Sequence, residues 1–322
     1  MHFRRTAVAV LGLAVAATGA ASQESKGLLV AIYKSGTQQY FIDQAQGFTE
    51  AAEAAGYEAQ TINVELDSNL AVSAVSDAIA AGAKGIAITV PDQALGPAVA
   101  KAAADANVPL VATDDAIQDE GGNPVPFVGF NGTDMGTKVG QSAAELLQGS
   151  GWLDSGDYGV LVVEVSTLSV CMDRTNAERE QLRAAGVTDD KLITVPYDGT
   201  TDVALTAAGP VITANSGLNN FVVVGCNDEG VSGVVNALRN ASYEPASVIA
   251  VGLGAYEACR PWAEGIETGF RSALYLSGVD VGKAAATALI DHIENGTPLP
   301  PETVANTTMV TPENWEATMP CG

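Results

Sequence analysis

The stretch Lys84–Asp115, KGIAITVPDQALGPAVAKAAADANVPLVATDD, decides the fold. Gly85–Val90 is a short apolar run with β-branched residues, stopped by Pro91-Asp92. Ala94–Ala106 has helical composition and closes at Asn107, and Val108–Ala112 is a second apolar run. Runs this apolar suit strands of a parallel sheet covered by helices on both faces. Open parallel sheets bind ligands beyond the carboxyl ends of their strands. Asp114 and Asp115 stand at such an end, two acceptor groups placed to grip the hydroxyls of a small polar molecule.

The same alternation runs through the chain. A first set has strands at Gly27–Tyr33, Glu58–Val64, the two runs above and Pro126–Gly129, with helices at Tyr40–Ala55, Leu70–Ala81 and Thr133–Leu147. A second has strands at Tyr158–Val165, Leu192–Val195, Asn220–Gly225, Val248–Gly252 and Phe270–Leu276. Its helices are Arg174–Ala185, Val203–Ala214, Gly230–Arg239 and Tyr256–Glu264. A long helix at Val279–Asn295 and one last strand at Val304–Thr311 follow. Gly151–Asp157 is the most loop-like stretch between the sets, which share a pattern but not letters. The expected class is α/β, two Rossmann-like doubly wound lobes.

Residues 1–22 read as a signal peptide: Arg4 and Arg5, an apolar core at Ala7–Ala17 too short to span a bilayer, then small residues Gly19–Ser22. No later run is long enough for membrane insertion, so an exported, periplasmic chain is expected. Fifteen Lys and Arg against 38 Asp and Glu argue against nucleic acid, whose phosphates need cations. Neither GxGxxG nor GxxxxGK[ST] occurs, and Gly252-Leu253-Gly254 lacks a third glycine, so no nucleotide cofactor is expected. Of the two histidines, His2 leaves with the signal and His292 falls in a surface helix, which disfavours a Ser-His-Asp or Cys-His hydrolase. Four cysteines without CxxC spacing point away from zinc; an exported chain allows disulfides, in any of three pairings.

Several segments together resemble one family: the exported sugar-binding proteins of ABC importers with the type I periplasmic binding protein fold, the L-arabinose-binding branch nearest. They are the first strand with Lys34 and Tyr40-Phe41, Gly82–Asp115 with its PDxxLG and DD, Arg174-Thr175 with Leu182–Gly186, and Val224–Asp228. The resemblance implies two lobes joined by a three-crossover hinge, near Phe130–Gly132, Leu276–Val279 and Asn306–Met309, with a monosaccharide trapped between them. The lobes would be residues 24–130 plus 277–306, and 131–276 plus 307–322. It implies a membrane permease as partner, a monomeric receptor and no cofactor. An exported sensor for chemotaxis or quorum signals is the alternative. Adjacent Asp114 and Asp115 cannot flank a scissile bond from two sides, which argues against a glycosidase.

Carried over residue by residue, Lys34 donates to a sugar hydroxyl, Asp115 accepts from the anomeric hydroxyl and Asp114 from another. Arg174, at the start of its helix, reaches the ring oxygen. Asn227 both donates and accepts, with Asp228 the better helix cap. Tyr40 faces the cleft, while Phe41 serves cleft and core equally. The family has an acidic residue where Gln38 stands, a Trp at Tyr40 and a Met near Phe130. Its further lobe-two Asn falls in Thr200–Asp202, which makes Asp202 the candidate there. These departures leave a monosaccharide in place but put L-arabinose itself in doubt. The resemblance also puts Cys321 in the lobe of Cys259, favouring a Cys259–Cys321 disulfide, with Cys171–Cys226 as the rival pairing and four free thiols as the third possibility.

Overall fold

The structure, a computed structural model, describes residues 25–321, so the expected signal peptide lies outside the described residues. Five strands and four helices build the first half: β1 (Leu28–Tyr33), α1 (Gln39–Ala54), β2 (Glu58–Asn63), α2 (Ser68–Ala80), β3 (Ala83–Ile88), α3 (Gly96–Asp105), β4 (Leu110–Thr113), β5 (Phe127–Gly129) and α4 (Gly132–Ser150). The second half holds a short α5 (Trp152–Ser155), then β6 (Gly159–Glu164), α6 (Ser169–Ala184), β7 (Leu192–Pro196), α7 (Thr201–Ala214), β8 (Phe221–Gly225), α8 (Asp228–Asn240), β9 (Val248–Gly254), α9 (Tyr256–Ala263) and β10 (Phe270–Leu276). The chain ends through α10 (Gly278–Asn295), β11 (Glu302–Val304) and β12 (Thr307–Val310).

Two sheets result, ordered β11-β5-β4-β3-β1-β2 and β12-β10-β9-β8-β6-β7. All pairings are parallel except β10 with β12. Every residue of β6, β8 and β9 is buried, as strands covered on both faces must be. The edge strand β2, EAQTIN, is mostly exposed or half-buried and correspondingly polar. Both sheets start at an inner strand, step outward, then reverse. The reversal opens a crevice at the carboxyl ends between β1 and β3, and between β6 and β8.

The chain passes between the sheets three times, after β5, after β10, and between β11 and β12. Asn131 and Ser277 cap the helices that follow the first two passages, accepting from the Asp134 and Asp280 amides at 2.9 and 3.2 Å. The last segment is therefore two strands in two sheets, not the single expected strand Val304–Thr311. The backbone turns away at Ala305, whose amide bonds the Gly129 carbonyl at 2.8 Å.

Glycines bring the passage helices against their neighbours. A Cβ at Gly136 of α4 would meet the Arg174 carbonyl oxygen of α6 at 2.0 Å. On α10, one at Gly278 would meet the Tyr40 oxygen at 2.3 Å, and one at Gly282 the Gln44 oxygen at 2.0 Å. So α4 lies on α6, and α10 on α1, nearly backbone to backbone.

The loop-like stretch after α4 contains the one-turn α5, bracketed by Gly151 and Gly156 at φ 76° and 68°. Among the described residues, no helix is long and apolar enough to cross a membrane. Both cysteine pairs are bonded, Cys259–Cys321 and Cys171–Cys226, with Cα atoms 5.8 and 5.0 Å apart. The two pairings coexist and are not rivals. Cys259–Cys321 ties the end of the chain to α9 across 62 residues. Replacing both by serine should lower stability by about 2–4 kcal/mol in urea titrations. In oxidised protein Cys321 should resist alkylation; its labelling without reductant would remove this pair.

Candidate functional site

Lys34 follows β1, and Asp114 and Asp115 follow β4, on either side of the first crevice. Successive side chains of a strand point to opposite faces. Here Asp114 turns at φ 59°, a left-handed conformation that Asp tolerates better than most residues. The turn brings both carboxylates to one ammonium: Lys34 Nζ lies 3.3 Å from Asp114 and is hydrogen-bonded to Asp115. Burial alone would pull the Lys34 ammonium down; Asp115 and Asp114 overcome this and hold it above its ordinary value. Burial pushes Asp115 up, with Lys34 offsetting part of the rise. Beneath them the Thr89 and Thr113 hydroxyls bond at 2.7 Å.

The second lobe supplies Arg174. Its Nη1 donates to the Cys226 carbonyl at 3.0 Å, and its Nη2 lies 3.8 Å from Asp114 across the cleft. Contrary to expectation Arg174 does not start its helix. The helix begins at Ser169, so Arg174 lies in the second turn. The preceding Leu168 has no capping side chain, and the sequence therefore showed no start signal there. Arg179 and Thr175 anchor the same helix to Glu164 of β6, at 2.7 and 3.1 Å.

Asn227 is the cap of α8, accepting from the Gly230 amide at 2.8 Å, which corrects the assignment of that role to Asp228. Its oxygen also accepts from the Tyr197 hydroxyl at 2.7 Å, and its amide donates to the Gly199 carbonyl at 3.0 Å. Asn227 thus keeps one N–H for a ligand and cannot play the expected double role. Asp228 turns instead to α9, accepting from the Glu257 amide at 2.9 Å, in space left by Gly252, where a Cβ would lie 2.1 Å from its Oδ1. Gly252 thus makes room for a carboxylate.

These groups line one cavity. Lys34, Gln38, Tyr40, Phe41, Asp114, Asp115, Arg174 and Asn227 all line it. Gln38 does so while donating to the Gly199 carbonyl of the other lobe at 3.2 Å. Tyr40 packs edge-on against Phe41 at 5.0 Å and near Phe130 at 6.2 Å. Lys34 sits 5.5 Å from the Phe41 ring. Phe130 is buried behind Tyr40 and lines the adjoining cavity toward the first passage. Asp202 is not brought in: it is exposed on the first turn of α7, outside the cavity. Tyr197, Glu229 and Tyr256 line the cavity but were missed. Asp228-Glu229 after an apolar strand repeats the Asp114-Asp115 pattern, and that signal was available.

Five buried atoms at this cavity have no hydrogen-bond partner among the described residues: Tyr40 Oη, Asp115 Oδ1, Asp228 Oδ1, and Arg174 Nε and Nη2. They come from both lobes and mix donors with acceptors. Unpaired polar atoms in such surroundings are costly to the fold, so a site that keeps several is built to meet a polar ligand.

A family model described as periplasmic binding protein domain matches residues 29–297. The chain belongs to this family. It is 28% identical to an ABC transporter L-arabinose-binding periplasmic protein of Azospirillum brasilense, over 98% of this chain and 96% of the relative. It is 27% identical to the L-arabinose-binding periplasmic protein of Escherichia coli, over 98% and 97%. In fold it is similar to an ABC transporter solute-binding protein of Burkholderia graminis solved with D-arabinose (TM-score 0.76, 16% identity, 93% of this chain and 99% of that one).

Behind Arg174, one helical turn on, Glu178 is fully buried and both its oxygens lack a partner among the described residues. Burial lifts it from about 4.5 to about 8, with Arg179 and Arg174 pulling back. Between those values the unfolded chain has lost this proton and the folded chain retains it. Stability therefore falls as pH rises through the window, by at most about 1.4 kcal/mol per pH unit from this group. Glu178→Gln should remove that slope, so its denaturation midpoint gains on the parent from pH 5 to 8. Parallel curves would show that Glu178 is ionised in the folded chain.

Proposed function

We propose that this chain is a periplasmic receptor that closes two lobes on a monosaccharide and delivers it to an ABC transporter permease. The observation that carries the reading is the set of orphaned polar atoms contributed by both lobes to one cavity. A pyranose or furanose offers hydroxyls to Asp114, Asp115, Lys34 and Arg174, and C–H faces to Tyr40 and Phe41. Lys34 lies against both carboxyl groups, an arrangement of donor and acceptors that suits hydroxyl binding. The names of the two L-arabinose-binding relatives support a sugar of this size. Gln38 in place of an acid, and Tyr40 in place of Trp, favour a related pentose, hexose or deoxyhexose over L-arabinose itself. The moving bodies are taken as residues 24–130 with 277–306, and 131–276 with 307–322. A ligand touching both binds the closed form better and shifts the population toward it.

A thermal-shift panel of L-arabinose, D-galactose, D-ribose and L-fucose should yield at least one sugar that raises Tm, where leucine and ATP do not. A sugar at a hundredfold excess over its Kd stabilises by about 2.7 kcal/mol. Asp115→Ala and Arg174→Ala should each weaken that sugar at least tenfold in calorimetry, about 1.4 kcal/mol. Asp202→Ala should bind as the parent does. A shift with leucine and none with any sugar would sink the reading.

A further inference from the structure

Helix α6 carries Arg174, yet its own sequence leaves its first turn uncapped, because Leu168 has no acceptor side chain. The acceptor comes from the other lobe. Gln93, between β3 and α3, accepts through Oε1 from both the amide and the hydroxyl of Ser169, at 2.9 and 2.8 Å. Its Nε2 donates to the Ala116 carbonyl at 2.6 Å. That bond fixes which end of the side-chain amide faces the helix. Ala116 directly follows Asp115, and Ser169 opens the helix of Arg174.

We propose that Gln93 is a positioning residue: a strut that caps α6 from the opposite lobe and sets the spacing between the Asp114-Asp115 turn and Arg174. Its two ends act on the two halves of the ligand site. The 3.8 Å separation of Arg174 from Asp114 is the distance it spans in effect. A glutamine suits the role because it accepts at one end and donates at the other, which neither Glu nor Lys does. The cap forms only when the lobes are together, so α6 loses its first-turn partner each time they part. Closure and order in the helix of Arg174 are thereby coupled. The contact is read from distances alone; its consequence for ligand capture rests on the function proposed above.

The test uses the full chain without sugar, so that it stands apart from the identity of the ligand. Hydrogen exchange at the Ser169 amide should be about three- to tenfold faster in Gln93→Ala than in the parent, the range expected for an exposed hydrogen bond. Gln93→Glu retains the acceptor but loses the bond to Ala116, so its protection of that amide should lie between the parent and Gln93→Ala. Small-angle scattering should give a larger radius of gyration for Gln93→Ala than for the parent, with Gln93→Glu between them. Exchange unchanged in Gln93→Ala, or equal loss of protection in the two variants, would overturn the strut. For whichever sugar of the panel binds, Gln93→Ala should raise the dissociation rate severalfold with little change in association. Failure of every sugar to bind would count against the proposed function and leave the exchange result intact.

Discussion

Two carboxylates on neighbouring residues, both nearly sealed from water, persist in this fold because one ammonium lies between them. The side chain of Lys34 is only 14% exposed, so it too depends on its partners to remain charged. The three groups come from strands on either side of the crevice where the strand order reverses, so the sheet topology and the charge arrangement require each other. Removing the cation would leave two neighbouring buried carboxyl groups without the ion pair that joins them. The apolar strands, the left-handed turn at Asp114 and the threonine pair below all serve to hold that triad at the lip of the sheet.

The second lobe answers with a different economy of charge. Arg174 is fastened at one nitrogen to the Cys226 carbonyl and keeps its others toward the cavity. Its backbone is pressed against α4, and its helix is locked to β6 through Glu164. Asn227, which seemed the natural counterpart, is largely consumed by its own neighbourhood. The chemistry of the cavity is thus asymmetric: acids and an ammonium on one wall, a guanidinium and carboxyl groups raised by burial on the other. On that second wall Glu229 is lifted to about 8 by burial and by Asp228 beside it.

Most strands were legible because a parallel sheet buried on both faces writes itself as an unbroken apolar run, as in Gly159–Glu164 or Phe221–Gly225. The Lys34, Asp114 and Asp115 cluster was legible for the related reason that strand tips carry ligands. What stayed hidden depends on partners distant in sequence. The start of α6 could not be read from Leu168, because its acceptor lies 76 residues earlier. The choice between Asn227 and Asp228 as cap turned on Tyr197 and Glu257, which no local pattern relates to them. The last strand divided because its two halves pair with different sheets, β11 with β5 and β12 with β10, segments that meet only after folding. Asp202, offered by the span Thr200–Asp202, stands exposed on α7 and lines a neighbouring opening with Gln38 and Glu229.

The glycine contacts of the passage helices have a bearing on how such a protein diversifies. At Gly136, Gly278 and Gly282 the joint between helices is made by main chain, which every amino acid possesses. The side chains that would meet a ligand project from the other sides of those same neighbours, Tyr40 and Arg174 among them. Recognition and helix packing are therefore written in different parts of the polypeptide. A lineage can exchange an acid for Gln38 or a Trp for Tyr40 and still inherit the same helix packing, whereas a single added methyl there would disturb every ligand alike.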